Sequence, residues 1–149
     1  MKIYLDNCCY NRPYDDQRQL RVFLETQAKL FIQQLIIEKK LILVCSFISR
    51  YENIENPDIS SRESIEHFLK NAVQYIDNND MYDIRILASE LIKHGIGVKD
   101  AAHLACAIKA ECDYFITTDD KLIKKYNGDK IKVRTPITFL DDWEGLCNA

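Results

Sequence analysis

Apolar positions follow two rhythms along this chain. Between Arg18 and Lys39 they fall at 20, 23, 24, 28, 31 and 35, the spacing of a helix with one buried stripe. Lys39 and Lys40 suit its C-terminus, where positive charge meets the negative end of the helix dipole. Leu41–Ser46 is instead a short, nearly continuous apolar run, as in a strand buried on both faces of a parallel sheet. Lys2–Asp6, Tyr114–Thr118 and Ile131–Arg134 are further predicted strands. Helices are predicted over Phe47–Glu55, ended by Asn56-Pro57, and over Ser60–Asn71, with Ser60 or Ser61 as N-cap. Asp80–His94 follows, closed by Gly95, then the alanine-rich Val98–Glu111, the short Asp120–Tyr126, and a last helix from Thr135-Pro136 through Trp143. Asn7–Gln17 reads as a polar loop, and Ala72–Ile76 as a helix end, a loop or a short strand. Strands separated by helices place the chain in the α/β class. The expected architecture is a three-layer α/β/α sandwich with a parallel sheet of four to five strands, a single domain across residues 1–149.

Composition narrows the function classes. The chain has 20 basic and 23 acidic residues, a net charge of −3. No strong basic field exists to hold nucleic acid by charge alone, which leaves room only for local basic contacts. Four Gly and three Pro argue against low complexity. No apolar run approaches the roughly 20 residues of a membrane span. The start, Met-Lys-Ile-Tyr-Leu, meets Asp6 too soon for a secretory signal. The six cysteines form no Cys-x-x-Cys pair and read as reduced thiols of a cytoplasmic protein.

The acids carry the chemistry. Asp6 ends the first predicted strand, Glu52 lies in the helix after the second, and Asp119 and Asp120 follow Tyr114–Thr118. In a parallel sheet these positions share one edge, where ligands of open α/β sheets bind. Asp100 opens the Val98–Glu111 helix and joins them if that helix begins at the same edge. Two unit charges about 5 Å apart repel by roughly 3 kcal/mol at an effective dielectric near 20. Such crowding needs protons or cations, and an oxygen-rich site suits Mg²⁺ or Mn²⁺.

Four segments carry a family resemblance: Ile3-Tyr4-Leu5-Asp6, Ser49-Arg50-Tyr51-Glu52, the stretch from Val98-Lys99-Asp100 through His103-Leu104-Ala105-Cys106-Ala107, and Asp113-Tyr114-Phe115-Ile116-Thr117-Thr118-Asp119. The third and fourth together, Asp-x-x-His-Leu-Ala-x-Ala followed by Asp-Tyr-Phe-Ile-Thr-Thr-Asp, are the most specific. The chain resembles the PIN-domain nucleases, and the likeness runs from residue 1 to about 140. The resemblance implies a divalent-metal-dependent endoribonuclease of the kind found as VapC-type toxins, with an antitoxin protein as partner. It assigns Asp6, Asp100 and Asp119 to the metal, Glu52 to the acidic shell that positions the attacking water, and Thr117 with Asp119 to the family's Thr-x-Asp pattern. One departure stands out. The common toxins carry Thr or Ser and an apolar run after the first Asp, whereas this chain has Asn7-Cys8-Cys9-Tyr10-Asn11-Arg12-Pro13.

Other residues have two readings each. Arg12, Arg50, Thr117 and Lys121 are candidates to contact RNA phosphates, set against ordinary surface charge or, for Thr117, strand propensity. Glu55 rivals Glu52 one helical turn away, and Asp120 is also a first-turn helix acid. His103 lies three residues after Asp100 and reads as a hydrogen-bonded structural histidine rather than a general base. A thiol phosphatase loop of the form Cys-x₅-Arg is absent at Cys8, Cys9 and Cys45. A dehalogenase-like hydrolase needs a second Asp where Cys8 stands, and a receiver domain needs paired acids before its phosphorylated strand. The alternative from another class is a non-catalytic PIN-like module that binds RNA or protein. A homodimer is expected, since small α/β domains with several apolar helix faces often pair.

Overall fold

In a computed structural model of the protein, which describes residues 1–148, β1 (Lys2–Leu5) lies at the centre of a five-stranded sheet. β2 (Ile42–Ser46) and β3 (Gln74–Ile76) extend the sheet on one side of it, and β4 (Tyr114–Ile116) and β5 (Lys132–Arg134) on the other. The order is β3-β2-β1-β4-β5 and every pairing is parallel. Ile3 pairs with Leu43 on one side and with Tyr114 on the other, so the strands run in step to one carboxyl edge. The chain leaves β1 toward β2 and later returns to β1's other side as β4. Between β1 and β4 the strand order therefore reverses, which opens a crevice at that edge.

Alternation along the strands builds two cores. Ile3, Leu5, Leu43, Cys45, Tyr114 and Ile116 face one helical layer. It comprises α1 (Asn7–Asn11), α2 (Leu20–Ile37), α4 (Ile59–Leu69) and α8 (Pro136–Cys147). Tyr4, Val44, Phe115 and Val133 face the other, built from α5 (Met81–Lys93), α6 (Val98–Lys109) and α7 (Asp120–Lys125). α3 (Phe47–Ile54) caps the carboxyl end of β2. This is the expected three-layer α/β/α sandwich with a parallel sheet. All six cysteines are free, and none of the described helices is long and apolar enough to cross a membrane.

Several local expectations are corrected. Asn7–Gln17 is not a loop throughout: it holds α1 and a 3₁₀ turn over Arg12–Tyr14. Asp6 caps α1 by accepting from the Asn7 amide at 2.8 Å, and Cys9 and Tyr10 anchor it in the core. Gln17 donates to the carbonyls of Arg12 and Asp15 at 3.0 Å each, which satisfies the backbone beyond the turn. The ambiguous Ala72–Ile76 supplies β3, recruited by pairing with β2. Asp58, not Ser60 or Ser61, caps α4, accepting from the Ser60 amide. α8 runs past Trp143 to Cys147.

The largest correction concerns α2. Its buried face is Val22, Ala28, Ile32, Leu35 and Ile36, together with Glu25, Thr26 and Lys29. Of the expected stripe, Leu20, Phe23, Leu24 and Phe31 face solvent. Glu25 is tolerated inside because Arg12 and Arg21 stand 3.1 and 3.4 Å from its Oε1. Lys29 donates to Gln33 at 2.7 Å and lies over the rings of Phe68 and Tyr10.

Candidate acidic site at the carboxyl edge of the sheet

Asp6 is the first residue past β1, and its amide still donates to the Ile116 carbonyl of β4 at 2.9 Å. Because side chains alternate along a strand, Asp6 lies on the same side as Tyr4, toward α6. Its Oδ1 accepts from the Asn7 amide, while Oδ2 accepts from the Thr117 hydroxyl at 2.8 Å. Thr117 is fully buried and also accepts from the Asp119 amide at 3.1 Å. One hydroxyl thus ties the ends of two neighbouring strands together. Asp119 caps α7, with Oδ1 accepting from the amides of Lys121 and Leu122 at 2.9 and 3.3 Å. While capping the helix, Asp119 also places its negative charge where Asp100 feels it.

Asp100 stands in the first turn of α6, which begins at this edge after Gly97. Its carboxyl is raised above the ordinary aspartate value, first by burial, then by the negative charges of Asp6 and Asp119 and, more weakly, of Glu52. His103 opposes the shift. The four acids therefore share one electrostatic environment although they come from four separate stretches of chain.

Glu52 is held from behind. His103, one turn beyond Asp100, places Nε2 at 2.7 Å from Glu52 Oε1. The other ring nitrogen, Nδ1, lies 2.6 Å from the Tyr4 hydroxyl. That hydroxyl also meets Ser46 at 2.7 Å and Ser49 at 3.0 Å. Ser46 caps α3, and Ser49 and Glu52 follow at three-residue spacing along one face of it. Tyr4, Ser46 and Ser49 were not among the residues read as functional. The Ser46-x-x-Ser49-x-x-Glu52 spacing, and Tyr4 two positions before Asp6, are the signals that could have found them.

The remaining candidates are distributed unevenly. Glu55 caps the far end of α3 beside Tyr51, whereas Glu52 is the one of the two that meets His103. Asp120 is turned to Arg21, which also donates to the Thr118 carbonyl at 3.2 Å and so braces the segment carrying Asp119. Arg21 itself gave no sequence signal beyond its charge. Arg12 is engaged by Asp15 at 3.0 Å and Glu25 at 3.1 Å, and Arg50 by Glu66 at 2.7 Å beside Tyr75. Neither guanidinium is free. Lys121 is exposed in the first turn of α7, next to Asp119. Cys8 lies against Asp6 Oδ2 and Thr117 at 3.5 and 3.4 Å, and its thiol is lowered chiefly by a hydrogen bond from Cys9. The cavity between α5 and the α7–β5 connection, lined by Leu87, His94 and Tyr126, includes none of the four acids.

The donor set can be tested against a cation. Among the described residues no three His, Cys, Asp or Glu side chains enclose a point an ion could fill. The arrangement is an open acidic floor rather than a closed cage. Carboxylate oxygens are the donor type a hard, partly hydrated ion takes, and the raised Asp100 carboxyl reflects burial together with the excess negative charge of its neighbours.

No family model and no curated protein matches the sequence. Solved structures do match. VapBC2 from Rickettsia felis, bound to a DNA fragment from its promoter, superposes with a TM-score of 0.56 at 18% identity, over 91% of this chain and 98% of that one. FitAcB from Neisseria gonorrhoeae gives 0.57 at 15% identity, with 91% and 98% covered. VapBC-1 from nontypeable Haemophilus influenzae gives 0.53 at 18% identity, with 92% and 99% covered. These likenesses span nearly the whole of each chain, and in backbone architecture the protein has a VapC-type PIN-domain fold.

Proposed function

We propose that the protein is a divalent-metal-dependent endoribonuclease whose reaction takes place over Asp6, Glu52, Asp100 and Asp119. The observation that carries this reading is the convergence of acids at one edge: Thr117 joins Asp6, just past β1, to the Asp119 segment, His103 ties Glu52 to the helix of Asp100, and the Asp100 carboxyl is raised by burial and then by the charges of Asp6, Asp119 and Glu52. Asp6, Asp100 and Asp119 would hold Mg²⁺ or Mn²⁺, directly or through water. When bound, the ion supplies a water of lowered pKa and neutralises charge on the phosphodiester. Thr117 keeps Asp6 oriented through its 2.8 Å hydrogen bond, and Asp119 is pinned by its own cap. Glu52 orients the attacking water and accepts its proton. The water oxygen bonds to phosphorus, the bond to the 3′ oxygen breaks, and that oxygen takes a proton from solvent, leaving a 3′-hydroxyl and a 5′-phosphate. Lys121 is the exposed cation nearest in sequence to Asp119 and is assigned to substrate phosphate.

A toxin role with an antitoxin partner belongs to the same proposal, as does a homodimer. It is supported by the uncharged outer face of α2, where Leu20, Phe23, Leu24, Leu30, Phe31 and Ile37 are exposed. A cytoplasmic location accords with the six free thiols.

Cleavage of a defined panel of single-stranded RNAs with Mg²⁺, Mn²⁺ or EDTA tests the reading, with wild type beside Asp6→Asn. The expected result is cutting with either metal, none with chelator, and a loss of about 10²-fold or more in the variant at unchanged circular dichroism. Equal cleavage by the variant would place the activity elsewhere. Protein that neither takes up Mn²⁺ nor cuts RNA would be a non-catalytic binding module.

A further inference from the structure

The Tyr4–His103–Glu52 chain is more than the reaction needs for a carboxylate at the site. An acid that only added charge would need no buried partner, and a structural histidine would need no carboxylate. Here the imidazole side chain is 1% exposed and the Glu52 side chain 7% exposed, and the contact between them is 2.7 Å. One arrangement of protons satisfies every polar atom behind the ring. The Tyr4 hydroxyl is fully buried and has three neighbours: His103 Nδ1, Ser46 and Ser49. A phenol has one proton and two lone pairs. If it donates to Nδ1, both serines donate to it, and Ser46 remains free to accept from the Ser49 amide at 3.3 Å. Every group is then satisfied and Nε2 carries the proton that faces Glu52. With a bare Nε2, two acceptors would face one another across 2.7 Å in a buried setting.

We propose that His103, seated on Tyr4, is the positioning residue for Glu52: it donates Nε2–H to Oε1 and leaves Oε2 as the oxygen that serves the site. This rests on the nuclease reading for its catalytic consequence, though not for the hydrogen bond itself. The design couples the helix that carries Asp100 to the helix that carries Glu52, since His103 and Asp100 lie one turn apart on α6. Thr117 does the same for Asp6 from the other side. Asp6 thus has Oδ2 fixed by a buried hydroxyl and Oδ1 by the Asn7 amide, whereas Glu52 has one oxygen fixed.

Two readouts test it. In metal-free protein, long-range ¹H–¹⁵N spectra resolve the three histidines, with His103 identified by its loss in His103→Gln. The expected result is a protected Nε2 proton on His103 that is displaced in Glu52→Gln. A bare Nε2 overturns the proposal. In cleavage assays, His103→Ala should lower kcat by about 10–100-fold with KM and Mn²⁺ affinity near wild type, as for other partners that orient a site group from behind. His103→Gln restores a donor near Nε2 and should recover part of the loss, which a purely structural role would not predict. Tyr4→Phe, a smaller change, should lower kcat in the same direction and covers the case in which His103→Ala does not fold. Wild-type kcat in a folded His103→Ala overturns the positioning role. A protected Nε2 proton in wild-type protein that cuts no RNA supports the positioning of Glu52 and removes only the nuclease reading.

Discussion

The carboxyl of Asp100 lies above its ordinary 3.8 because the folded chain buries it among Asp6, Asp119 and Glu52. A raised carboxyl costs nothing at low pH, where folded and unfolded chains both hold the proton. The cost appears as pH rises through the window between the unfolded and folded values and stays above it. Asp100→Asn should therefore stabilise the metal-free protein at pH 7, by a small amount because solvent screens much of the repulsion. The gain should vanish near pH 3, and urea titration at the two pH values checks both. Lys29 shows the opposite sign. Burial pushes its ammonium down from 10.5 to about 8, with the Phe68 and Tyr10 rings returning some of the loss. Below pH 8 both states are charged and the folded state carries the full penalty, which is relieved as pH rises from 8 toward 10.5. Lys29→Met should stabilise by about 1–3 kcal/mol at pH 7. That advantage should shrink above pH 8, as thermal melts across the range would show.

At the scale of elements, α6 is where packing and chemistry meet. Ala101, Ala105 and Ala107 are wholly buried, and these small side chains let the helix lie close on the sheet. That closeness is what brings Asp100 and His103 to the carboxyl edge. Ala105→Leu should cost about 1–3 kcal/mol by overpacking and should also disturb the Glu52 contact, lowering any cleavage rate more than a surface change of equal stability cost. α5 ends as its sequence indicated, with Gly95 at φ +93° just past the last turn. α2 did not follow its predicted face. It is apolar on two opposite sides, and periodicity gives the angle between apolar residues but not which side meets the sheet. The sheet took the side with Glu25 and Lys29, whose charge and length are accommodated by Arg12, Arg21, Gln33 and two rings.

For the whole molecule, the decisive feature is the reversal of strand order between β1 and β4, with Asp6 and Thr117–Asp119 on its two sides. Repulsion between the acids is stored in the fold and should be released by a cation bound to the native state alone. Mn²⁺ should raise the melting temperature of wild type, by an amount equivalent to about 2.7 kcal/mol at a hundred times its dissociation constant, and should raise that of Asp6→Asn far less. Calcium-free, chelated buffer provides the baseline, and differential scanning calorimetry gives the shift.

The sequence by itself determined the α/β layering, four of the five strands and which acids stand at strand and helix ends, because apolar runs, helix spacing and strand-end carboxylates are local patterns. Tertiary structure alone decided the rest. β3 forms because β2 offers an edge, and α1 forms because Asp6 caps it and Cys9 and Tyr10 find a core. Arg12 and Arg50 find ion-pair partners in Glu25 and Glu66, which spacing along the chain did not indicate. The Tyr4–His103–Glu52 chain joins residues up to 99 positions apart. Spacing along a chain cannot encode such a contact; it arises only when strands and helices are stacked and a buried polar atom must find its partner.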